Sequence, residues 1–120
     1  MNNNVPTGGG TIRSLTYLFS HEGGRTIAHC LDLDIATSGS SIEDAEASLD
    51  ALVVVQIGQN FAAGNFSQLR FKAPFEYWEE LNDAARLENR HIKIEVPEAV
   101  LPVSSFCLPI LRSELTAAAA

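Results

Sequence analysis

The sequence predicts an α+β fold: a three-stranded antiparallel meander carrying one long packed helix, extended by a second helix and one or more C-terminal strands. Three observations lead there. Residues 11 to 38 alternate or run apolar in short stretches separated by turn residues, as strands do. From Ser41 onward the apolar residues instead recur at helical spacing for about twenty positions. The links between these stretches are too short for anything but neighbouring elements.

The first strand falls within Thr11 to Ser20, where Leu15, Tyr17 and Phe19 share a face and form the inward set. His21-Glu22-Gly23-Gly24 makes the hairpin, its glycines taking positive φ at little cost. Arg25 to Leu31 is the second strand, with the small residues Ala28 and Cys30 on one face and His29 on the other. Asp32-Leu33-Asp34 turns the chain into a short third strand, Ile35 to Ser38. Ser40 or Ser41 caps the helix, and Glu43 or Asp44 closes a capping box and complements the helix dipole. The sheet-facing stripe reads Ile42, Ala45, Leu49, Leu52, Val53 and Gln56. Ala47, Ala51, Val54 and Val55 form a second apolar surface, so the helix is expected to be covered twice, either under the C-terminal segments or against another copy, for which Ala51, Val54 and Val55 are the candidate contacts. Gly64-Asn65 ends it.

Beyond Phe66 to Ala73, a connection, Pro74 opens a second helix expected to reach Glu88. Arg90 to Pro97 is a strand with Ile92, Ile94 and Val96 inward. Val100 to Leu111, broken by Pro102 and Pro109, reads as an edge strand or an arm on the core. The organisation expected is a disordered leader at 1–10, one domain at 11–112 and a tail at 113–120.

The chain's 120 residues are 46% hydrophobic, enough for one domain with a core. Its net charge of −7 disfavours a broad nucleic-acid surface and favours a basic protein partner. No Lys or Arg occurs between Arg25 and Arg70, whereas Asp32, Asp34, Glu43, Asp44, Glu46 and Asp50 do. Those six are the candidate partner-binding residues, weighed against a merely solvated acidic face. Cys30 and Cys107 make no disulfide framework, no secretory signal opens the chain, and no apolar run nears the ~18 residues of a membrane span. Localisation is expected to be cytoplasmic.

Gly23-Gly24, Ala28-His29-Cys30, Asp32-Leu33 and the Ser41-Ile42-Glu43-Asp44-Ala45 helix start resemble the HicB-like antitoxin family over Thr11 to Phe61. Leu31 stands where that family usually has Pro, and Ile35 where many members have Gly. The resemblance implies a truncated ribonuclease H-like β-β-β-α-β core without catalytic function. It also implies a bacterial toxin–antitoxin role: neutralising a small basic HicA-like mRNA interferase, often as a homo-oligomer. Members of that family commonly carry a C-terminal DNA-binding module, but Pro102 and Pro109 interrupt the chain here and too few residues follow for two helices, so operator binding is not expected. Two alternatives stand beside this: a homo-oligomeric HicB-like protein with no toxin, and a metal-dependent nuclease using Asp32, Asp34, Glu43 and Asp44. Turn-forming and capping duties explain the same acids, and the first strand offers no carboxylate, so neither enzyme activity nor a cofactor is expected. His29 and Cys30, being adjacent on a strand, face opposite ways and do not form a nucleophile pair.

Overall fold

The computed structural model describes residues 13–62, 73–95 and 105–115. The calls on residues 1–12, 63–72, 96–104 and 116–120 (the leader, the helix stop, most of the Phe66 to Ala73 connection, Val96 and Pro102) lie outside them. The described residues form strands β1 (Leu15–Glu22), β2 (Arg25–Cys30) and β3 (Ile35–Gly39), then helix α1 (Ile42–Ala62). A short helix α2 (Phe75–Glu79) runs into a 3-10 turn (Glu80–Asp83), followed by β4 (Ala85–Arg86), β5 (Arg90–Glu95) and β6 (Ser105–Glu114).

β1, β2 and β3 form the expected meander, with Tyr17 opposite Cys30 and Ala28 opposite Thr37. The sheet then continues past β1. β6 lies parallel beside it, Leu15 opposite Ile110, and β5 and β4 pair antiparallel along the far side of β6. The result is one six-stranded sheet.

α1 packs on one face of this sheet. Leu15, Tyr17 and Phe19 meet Ala45, Leu49, Val53 and Ile57 there, and all seven are fully buried. The small side chains of Ala28 and Cys30, also fully buried, let the helix approach. Gly39 sets that approach at the other end: a Cβ on it would lie 2.5 Å from the backbone nitrogen of Ala45. The expected cap forms as well. Ser41 Oγ accepts from the Asp44 N–H at 3.1 Å, and the Asp44 carboxylate accepts from the Ser40 N–H at 2.9 Å.

The second face carries α2. Trp78 packs with Leu18, Leu31 and Ala73, and its indole N–H donates to the Ala73 carbonyl at 3.1 Å.

Three expectations are corrected. The second helix stops at Glu79 instead of Glu88, because the chain after the 3-10 turn leaves to pair Ala85 and Arg86 with β6. The last strand is interior, not an edge strand or arm. Pro109 is accommodated because the β1 pairing begins only one residue later, at Ile110. Leu52, assigned to the sheet-facing stripe, is 47% exposed, and Ile57 takes the buried place. β6 also carries the fold through Ser113 and Glu114 to Leu115, which packs against the second core.

Candidate functional site

The two faces of the sheet treat charge differently, and that separates the acids that the sequence groups together. On the α1 face, Glu46 is buried, because its position on the helix points it at the sheet. Its carboxylate accepts two hydrogen bonds from the Arg112 guanidinium, both at 2.9 Å, and a third from Arg90. Arg90 also donates to Asp50 at 2.8 Å, and the Tyr17 hydroxyl donates to the other Asp50 oxygen at 2.8 Å. The Arg112 guanidinium lies 5.5 Å from the Phe19 ring centroid. Burial pushes the Tyr17 phenol far above its usual range, with Asp50 adding to the shift. For Arg90, burial works against the charge, but the hydrogen bonds to Asp50 and Glu46 outweigh it and raise the pKa. This cluster locks α1 to β5, β6 and β1. Glu46 and Asp50 are therefore committed inside the fold, a correction to their reading as docking residues.

Asp44 is spent in part on the cap, and Glu43 is exposed beside it. Asp32 and Asp34 belong to the β2–β3 turn, at the opposite end of β3 from the start of α1. Five strand residues separate the two ends, about 16 Å at strand rise. The four acids of the nuclease reading thus do not converge. Among the described residues no three His, Cys, Asp or Glu side chains are placed to hold a metal ion.

Asp34 adopts φ +55°, a left-handed conformation that aspartate tolerates in turns. It thereby reaches back to His29, whose Nε2 lies 2.8 Å from Asp34 Oδ1. His29 stands edge-on to Tyr77 of α2, with ring centroids 4.8 Å apart. These residues line a groove of about 510 Å³ between the meander and α2, floored by Leu18 and Ile27 and bordered by Glu22, Asp34 and Glu80. His21 sits at its end, 2.7 Å from Glu114. Tyr77 and Phe75 at the rim are 41% and 58% exposed. Trp78, the next aromatic on α2, is buried instead. No short-range pattern marks the groove, since its two walls are some fifty residues apart in the chain.

Asp32 turns the other way, beneath the 3-10 turn. Its Oδ1 accepts from the Thr16 N–H and lies 3.9 Å from Cys30 Sγ. Burial pushes its pKa up to about 7, more than the Thr16 bond holds it down. Cys30 is buried on the α1 face, its thiol also raised by burial and then by Asp32. His29 opens to the groove on the opposite face.

The self-association residues divide. Ala51 and Val55 lie on the outer side of α1, Val55 55% exposed, with Ala47 and Leu52 beside them. Val54 instead packs partly against the core. Among the described residues no helix is long and apolar enough to cross a membrane.

No family model, no curated protein and no solved structure matches this chain.

Proposed function

We propose that this chain is a HicB-like antitoxin-type binding module that neutralises a small basic HicA-like mRNA interferase. The observation that carries the reading is the way the resembling stretch folds. Leu15 to Ala62 makes a β-β-β-α unit, and β6 comes back parallel beside β1, so the order β3-β2-β1-β6 supplies the final strand of a β-β-β-α-β core. The net charge of −7 supports a basic partner drawn in over long range. The docking acids are those left outward: Glu43 and Asp44 at the start of α1, and Glu22, Asp34 and Glu80 around the groove. The module acts by covering its partner and contributes no reacting group.

The test is to purify the chain with the product of a short basic reading frame adjoining its own, and to follow RNA cleavage by that product as the chain is added. Stoichiometric inhibition that weakens with salt is the expected result. An active ribonuclease indifferent to the chain would remove the reading.

A second reading, a homo-oligomeric HicB-like protein without a toxin, draws on the exposed outer side of α1, where Ala51, Leu52 and Val55 stand together. It requires an oligomer at micromolar concentration, and sedimentation as a monomer would end it.

A further inference from the structure

A second hollow, of about 360 Å³, lies between the sheet, the 3-10 turn and β4, and shares no lining residue with the groove. Its size is within the range of small-molecule sites. Trp78 supplies an apolar wall, Thr16, Ser113 and Asn82 supply hydrogen-bonding groups, and the charges are Asp32 and Arg86.

The two charges do not satisfy one another. Asp32 Oδ1 accepts from the Thr16 N–H and lies 3.9 Å from Cys30 Sγ, and the Asp32 carboxylate forms no ion pair with a described cation. The Asp32 side chain is part of the lining of this hollow. Arg86 makes no ion pair with any described carboxylate, Asp32 included, although both line the same space. β4 holds Arg86 opposite Ser113 of β6, and the β2–β3 turn holds Asp32 over Thr16 of β1, so the fold fixes both ends. Opposite charges held apart across one cavity suit a ligand that carries both signs itself.

We infer that this hollow binds a small zwitterion of the α-amino acid class, its ammonium group donating to the Asp32 carboxylate and its carboxylate accepting from the Arg86 guanidinium. The fork of the guanidinium matches a carboxylate, and the ligand side chain lies toward Trp78. The inference is independent of the antitoxin reading.

Isothermal titration of the full chain at about pH 8, where the Asp32 carboxyl is ionised, with glycine, L-alanine, L-leucine and L-glutamine tests it, with methylammonium and acetate as single-charge controls. At least one amino acid should bind saturably, and neither control should bind at the same concentration. Arg86→Gln, an exposed substitution that leaves the core alone, and Asp32→Asn should each weaken binding roughly tenfold or more. The chemical shift of the Trp78 indole N–H should move on binding. Silence from all four amino acids at about 10 mM, binding that both variants leave unchanged, or equal binding of methylammonium alone would overturn it.

Discussion

Replacing Asp32 with asparagine should make the protein more stable at alkaline pH while changing it little near pH 4. The folded chain holds the Asp32 carboxyl at about 7, against an unfolded value near 4. A raised acid works against folding once the unfolded chain ionises: the wild type loses stability as pH climbs from about 4 to about 7, then levels off. Three pH units at about 1.4 kcal/mol each give a total near 4 kcal/mol, and about 2.5 kcal/mol of it falls between pH 5 and pH 8. Asparagine keeps an oxygen for the Thr16 N–H and carries no charge to bury, so it escapes this loss. Urea unfolding of both proteins across that range isolates Asp32, because every other titrating group is shared. The gap between them should widen in favour of asparagine by about 2.5 kcal/mol from pH 5 to pH 8. Parallel curves would show that the carboxyl is not held up by burial, and the reasoning would fail.

Gly39→Ala should cost on the order of 2 kcal/mol, because the new Cβ meets the backbone of Ala45 and α1 must shift; a urea midpoint within error of wild type would show that the helix start is not so tightly seated. Arg112→Met should cost about 3 kcal/mol by leaving the buried Glu46 to Arg90 alone, and adding Glu46→Met should restore part of it. Strictly additive losses in that cycle would mean the pair is not coupled. Leu52→Glu and Val55→Glu should each stay within about 0.5 kcal/mol of wild type, and a large fall in melting temperature would place those side chains in the core.

What the sequence disclosed was local. Alternation exposed the inward face of β1, Gly23 and Gly24 marked the hairpin with φ of +58° and +80°, and Ser41 with Asp44 announced the helix start. The stripe on α1 was harder to assign, because apolar residues occur nearly all round it and Leu52 competes with Ile57 for the buried side. What stayed hidden depended on partners distant in the chain. Arg90 and Arg112, which claim Glu46, lie 44 and 66 residues away, so nothing nearby in the chain betrays an inward-pointing glutamate. The helical spacing after Pro74 is real, yet β6 draws Ala85 and Arg86 into the sheet. Pro109 argued for an edge, and the observed register shows how a proline enters an interior strand one step before its second neighbour begins.

The claim that this molecule shields a basic ribonuclease is tested most directly by charge reversal on the acids the fold leaves outward. Glu43→Lys and Glu80→Lys, one at the start of α1 and one at the groove, should together weaken the chain's complex with its basic partner at least tenfold, while Glu95→Lys, elsewhere on the surface, should not. Equal affinity for all three forms would contradict the account.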